Sequence, residues 1–198
     1  SHGVLPLVYR RLKSTDGIAP KAIAPIRAQF YGNALTNLNG ARELVRIVSL
    51  LGARGIDAIA LKGPVLALQA WGDVALRQFN DLDLLVRPAA VARAAEVLDE
   101  AGYRPLTFDR QHPEVSIART CEDDFVRPDS PWTIDLHWEL NLDYFAYGPA
   151  ADDVWERAIS IKLEGAEVKT LPPGQLVPFL AVHATKHGWI TLAWVCDF

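Results

Sequence analysis

The sequence predicts an α+β fold: a mixed β-sheet core with helices packed around it, a helical segment before the core and another after it. Three observations predict it. Residues 1–55 carry apolar side chains at helical spacing, residues 56–171 alternate short apolar strands with short helices, and residues 172–198 return to helical spacing. These stretches are the expected organisation of the chain: an N-terminal helical segment, an α/β core and a C-terminal helical segment.

In the first segment, Val4 to Lys13 is a short amphipathic stretch broken by Ser14-Thr15-Asp16-Gly17. Pro20 to Leu51 then places Leu38, Ala41, Val45 and Val48 at helical spacing, with Pro25 and Gly32 as expected breaks and Gly52 and Gly55 closing the helix. Ala58 to Leu61 is a short apolar run flanked by glycines and reads as a buried strand. Val65 to Trp71 reads as a helix, Leu82 to Val86 as a strand, and Pro88 to Ala101 as a helix opened by proline and closed by Gly102. Val115 to Arg119 and Asp124 to Arg127 are expected as strands, and Trp132 to Leu140 alternates as one. Ile161 to Leu171 reads as a hairpin turning at Glu164-Gly165. Pro173 to Phe198 is helical and ends on TLAWVCDF without a capping glycine or polar tail. With no methionine even at position 1, the chain is expected to be part of a longer protein, its last helical segment truncated.

The 198 residues carry 20 Lys plus Arg against 24 Asp plus Glu, a formal net charge of −4, and half are hydrophobic. That composition excludes a disordered or fibrous chain. The small acidic excess argues against general nucleic-acid binding, which needs positive charge to displace phosphate counterions. Cys121 and Cys196 lie far apart with no CxxC, so neither a disulfide framework nor a thiolate zinc site is expected, and the compartment reads as reducing. No apolar run reaches the ~20 residues that span a bilayer, so a cytoplasmic protein with no membrane partner is expected.

The chemistry concentrates in Asp81-Leu82-Asp83-Leu84-Leu85-Val86. Strand side chains alternate, so Asp81 and Asp83 share a face while Leu82, Leu84 and Val86 enter the core. Two adjacent carboxylates repel, and a hard divalent ion is their natural partner; a solvated pair at the start of a strand is the alternative. Removing one carboxylate should relieve that repulsion, so Asp83→Ala is expected to leave the fold intact. In Trp132 to Glu139 the apolar face is Trp132, Ile134, Leu136 and Trp138, which leaves Asp135, His137 and Glu139 on the other. If the two strands pair, Asp135 completes a triad able to hold Mg²⁺. Upstream, Leu61-Lys62-Gly63-Pro64 offers a glycine before a helix and a cation to phosphate oxygens, but it is too short for a P-loop. His183 and His187, four apart on a helix, could join His137 on zinc, although Ala184 takes the place of the glutamate in an HExxH protease. Packing against Trp189 and Trp194 is the other reading of both, and Trp138 to Tyr147 reads as core and loop packing.

LKGPVLALQAWGDVALRQFNDLDLLV followed by IDLHWEL resembles the bacterial nucleotidyltransferase-like proteins of the DNA polymerase beta superfamily, and HATKHGWITLAWVCDF is similar to the helical ending of one such subfamily. The resemblance implies a nucleotidyltransferase that uses Mg²⁺ or Mn²⁺ and an NTP, with an unknown acceptor that is a small molecule, peptide or protein. It implies that Asp81, Asp83 and Asp135 are the catalytic and metal-binding residues and that Gly63 approaches the triphosphate, with Lys62 and Arg77 as phosphate contacts. His187 or Lys186 is a further nucleotide contact to consider from the C-terminal helix. Pro64 departs from the superfamily pattern, since it lacks the backbone donor and the hydroxyl usual after the glycine. A noncatalytic nucleotide-binding or protein-interaction module on the same fold therefore stays open, as does a metal-dependent hydrolase built on His137, His183 and His187.

Overall fold

Two helices with apolar stripes open the chain, α1 (Leu5–Lys13) and the long α2 (Pro20–Ala53). The computed structural model describes residues 2–140 and 151–198. Helix α2 runs through Pro25 and Gly32 without the expected break. Pro25 removes one backbone donor, but both residues are exposed, so the freed carbonyl faces solvent. The helix is held farther along by a buried stripe of Ala41, Leu44, Ile47 and Leu51.

The core then follows the predicted alternation, as β1 (Ala58–Ala60), α3 (Gly63–Trp71), β2 (Asp81–Val86) and α4 (Val91–Glu100), the last entered through a 3₁₀ turn at Pro88–Ala90. After β3 (Arg104–Pro105) the structure departs from the sequence expectation, because residues 115–119 belong to helix α5 (Pro113–Arg119). The carboxylate of Asp109 accepts from the backbone N–H groups of Gln111 and His112 at 2.8 and 3.2 Å, and Pro113 sits in the first turn. That turn and proline start a helix that the Val115/Ile117 alternation did not suggest.

Strands β4 (Glu122–Val126) and β5 (Thr133–His137) precede α6 (Ala151–Arg157) and the hairpin β6 (Ile159–Leu163) and β7 (Ala166–Thr170). Its turn residues Glu164 and Gly165 both have positive φ, 48° and 84°, as a two-residue hairpin turn requires. The C-terminal region is two helices, α7 (Pro173–Lys186) and α8 (Leu192–Cys196), separated where Gly188 and Trp189 take positive φ. Tyr144 and Tyr147 lie outside the described residues, whereas Trp138 is buried in the core.

The seven strands make one mixed sheet in the order β3-β4-β5-β2-β1-β7-β6, parallel at β5/β2 and β1/β7 and antiparallel elsewhere. On one face, Leu82, Leu84, Val86, Ile134 and Leu136 pack with the buried stripe of α2 and with α4. On the other, Ile59, Leu61 and Leu85 pack with Leu176, Phe179 and Leu180 of α7. No helix among the described residues is long and apolar enough to cross a membrane.

Candidate active site

Strands β2 and β5 run side by side in the middle of the sheet, in a register that sets Asp83 opposite Asp135. Period-two alternation sends Asp81, Asp83, Asp135 and His137 to the face opposite Leu82, Leu84, Ile134 and Leu136. Farther along that face Leu85 joins the apolar contact with α7, so the acidic end of the strand borders a dry region. The Asp83 side chain is fully buried, and its Oδ1 lies 2.6 Å from Lys62 Nζ and 3.5 Å from His137 Nε2. His137 Nε2 is in turn 3.1 Å from Asp135 Oδ2, while its Nδ1 is 3.0 Å from Glu122 Oε2 on β4. Glu122 also pairs with Lys186 at the end of α7. One ligand atom each from Asp83, Asp135 and His137 lie within 4.8 Å of one another.

Burial alone would raise the pKa of Asp83, but the Lys62 ammonium and the His137 ring outweigh it and hold the carboxyl well below the usual range. Burial also opposes the charge on His137, yet Asp135, Asp83 and Glu122 overcome it and keep the ring protonated well above its ordinary range. Asp81, two residues before Asp83, is pushed the other way by burial and by its neighbour's charge. Asp124 stands opposite Asp135 on β4 and is pushed up to about 6, by burial first and then by the charge of Asp135. The site thus gathers more negative charge than its cations neutralise pairwise.

The other residues singled out in the sequence surround this cluster. Lys62 is the residue before α3, buried but for an edge of its side chain on a cleft. Gly63 follows with φ +58°, and a Cβ there would come 3.2 Å from the carbonyl oxygen of Asp81, so glycine lets α3 start hard against β2. Pro64 occupies the first turn of α3 and is buried. Arg77 grips Asp197 with a bidentate fork at 2.9 and 3.0 Å, buried on both sides. His183 Nδ1 lies 3.3 Å from Lys62 Nζ, and burial with that positive charge pushes its pKa down to about 3. The rings of His183 and His187 sit 4.7 Å apart, both packed on Trp194. Lys62, Arg77, Asp81, His183, His187 and Trp194 line this cleft of about 770 Å³ together with Gln29, Asn33 and Thr36 of α2.

Three partners were not visible from the sequence. Glu122 belongs to β4, which begins two residues earlier than expected, and the Glu122/Asp124 spacing was the available signal. The reach of Asp197 to Arg77, and of Lys62 to Asp83, depends on tertiary packing that no local pattern carries.

A family model described as "Uncharacterised nucleotidyltransferase" matches residues 1–198. The chain belongs to that nucleotidyltransferase family. No curated protein matches it. Two solved structures share its fold. The solution structure of the antibiotic-resistance factor ANT(2'')-Ia aligns with a TM-score of 0.56 at 12% identity, covering 80% of this chain and 82% of that one. The lincomycin-bound crystal structure of the lincosamide antibiotic adenylyltransferase LnuA aligns with a TM-score of 0.50 at 13% identity, covering 70% and 84%. This nucleotidyltransferase-family chain therefore has the mixed sheet of that fold, with an Asp/Asp/His cluster able to hold a divalent cation at its centre. The carboxylate chemistry fits one: both oxygens of buried Asp83 make no well-directed hydrogen bond among the described residues, and carboxylate oxygen suits a hard divalent ion, whereas the protonated ring of His137 ligates only once it gives up its proton.

Proposed function

We propose that this chain carries a metal-dependent nucleotidyltransferase site that moves a nucleotidyl group from an NTP to an acceptor hydroxyl and releases pyrophosphate. The observation that carries the proposal is the facing of Asp83 and Asp135 across neighbouring parallel strands, beside a cleft with room for a nucleotide. Asp83 and Asp135 would hold Mg²⁺ or Mn²⁺, with Asp81 and His137 beside them. A cation there supplies charge neutralisation for the phosphates and for the developing alkoxide. Asp135, whose side chain is 18% exposed where that of Asp83 is fully buried, is the carboxylate open to an acceptor and takes up its hydroxyl proton. The acceptor oxygen bonds to the α-phosphorus as the bond from that phosphorus to the pyrophosphate oxygen breaks. Lys62, Gly63, Arg77 and His187 are the nucleotide-binding residues in this reading, and Lys62, Arg77 and His187 line the cleft. Positioning and charge compensation then supply the catalysis. The neighbours in fold include an enzyme that adenylylates a lincosamide, which supports a small hydroxyl-bearing acceptor.

The test is incubation of the protein with each α-labelled NTP, Mg²⁺ or Mn²⁺ and a cell extract, with calorimetry of NTP and Mg²⁺ alongside. A labelled product that disappears in Asp135→Asn supports transfer. No NTP binding by the folded protein overturns it and favours a noncatalytic interaction module, the reading that Pro64 at the helix start and the engagement of Arg77 by Asp197 favour. Among the described residues, His183 and His187 join no group of three metal-ligating side chains, which leaves a hydrolase without its centre. One stoichiometric zinc, lost on changing His183, would restore that reading.

A further inference from the structure

We infer that Lys62 is a resident counter-cation: its ammonium group pairs with Asp83 and is displaced into the cleft when a divalent cation binds there. The inference rests on the metal-site reading proposed above and concerns what this chain does before the cation arrives.

Its basis is the geometry around one carboxylate. Asp83 is fully buried, and a buried carboxylate beside Asp81 and Asp135 needs positive charge close by. Lys62 supplies it at 2.6 Å from a side chain that is 5% exposed. Yet neither Asp83 oxygen makes a well-directed hydrogen bond, so the contact is one of charge and not of fitted donors and acceptors.

An ion that takes Asp83 Oδ1 competes with the Lys62 ammonium for that oxygen, whereas an ion on Oδ2 alone would leave the pair in place. A divalent ion binds carboxylate oxygen at about 2.0–2.6 Å. An ammonium nitrogen 2.6 Å from the same oxygen would then lie within a few ångström of the ion, and like charges at that separation in a buried site repel strongly. Lys62 has a way out, because its side chain also lines the cleft and its Nζ already lies 3.3 Å from His183 Nδ1 on the cleft wall. Arg77, the guanidinium of that lining, is already paired with Asp197 and reaches a phosphate only by leaving it. The displaced ammonium is thus the positive charge delivered to a phosphate in the cleft, and cation binding and phosphate binding become linked through one side chain.

The experiment uses Mn²⁺ alone, titrated by calorimetry into the 198-residue wild type, Lys62→Met and Lys62→Gln. Removing a competing unit charge a few ångström away should tighten Mn²⁺ binding by about tenfold or more. The variants should also melt below the wild type without metal and gain more from it. Equal or weaker Mn²⁺ binding in folded variants overturns the displacement while leaving the metal site standing. No Mn²⁺ binding by any of the three proteins overturns both. Should the variants not fold, ¹⁵N-lysine-labelled wild type decides: the slowly exchanging ammonium signal of the buried lysine should shift or lose its protection on adding Mg²⁺. A signal unmoved at saturating Mg²⁺ overturns the inference.

Discussion

Asp83→Ala turns the site's electrostatics into a stability measurement. On sequence grounds the change relieves repulsion with Asp81 and leaves the fold intact. The structure reverses the sign, because the Asp83 carboxylate is also the partner of the buried Lys62 ammonium and of the protonated His137 ring. Truncating it leaves two positive charges facing an apolar methyl. Breaking a buried pair from one side costs about 3–5 kcal/mol, where an exposed pair is worth only ~0–1. Relief of the repulsion from Asp81 and Asp135 offsets part of that, so a net loss of about 3 kcal/mol is expected. For a chain of this size, that lowers the melting temperature by roughly 6–12 °C. Urea unfolding followed by circular dichroism reads it directly. The companion is Asp83→Ala combined with Lys62→Met, read against Lys62→Met alone; it removes both charges of the pair and should recover part of the loss, the His137 ring still lacking its partner, giving a coupling energy well above the error of the cycle. Asp83→Ala within ~0.5 kcal/mol of wild type would refute the reasoning, since that is the range of an ordinary surface change.

Two further perturbations probe the scaffold. Gly40→Ala should destabilise by about 1–3 kcal/mol despite alanine's higher helix propensity. A Cβ there would meet two atoms of the Trp132 ring at 2.8 Å and the Phe79 ring at 3.0 Å, and a stabilised variant in urea would show that those rings have room to move. The Arg46 guanidinium beside Glu43, helped by the Tyr103 hydroxyl at 2.8 Å, holds the Glu43 carboxyl below the usual range against its burial. A depressed folded-state pKa stabilises at pH above the unfolded value, and that contribution disappears as pH falls through the folded value. The stability gap between wild type and Glu43→Gln should therefore shrink on acidification through the carboxylate range, and a gap constant with pH would contradict the pairing.

The central strands were legible because each has one apolar and one acidic face, so a single alternation fixed both the element and the direction of Asp81, Asp83 and Asp135. The hairpin was legible from Glu164-Gly165, a pair suited to a turn with two positive φ values. Val115 to Arg119 misled because two apolar residues two apart satisfy a strand as well as a short helix, and the deciding contacts come from Asp109. The basic residues were legible as cations near a glycine but not as partners. Lys62 meets Asp83 across a neighbouring strand, and Arg77 meets Asp197 at 120 residues' separation. Local periodicity has no access to either distance.

The parallel pairing of β2 with β5 also governs when the site comes into being. Antiparallel neighbours joined by a tight turn can zip locally, as β6 and β7 do. The strands that bear Asp83 and Asp135 are instead joined through α4, β3, α5 and β4, so the two carboxylates meet only after that whole excursion has closed. Contacts of such long sequence separation carry the loop-closure entropy of everything between them and form slowly. A nascent chain released before β5 has docked would present Asp81 and Asp83 on a strand lacking one neighbour, with Asp135 elsewhere. The arrangement able to hold a cation is therefore a property of the finished sheet, and the approach of Asp135 to Asp83 during refolding would time the seating of the central strand.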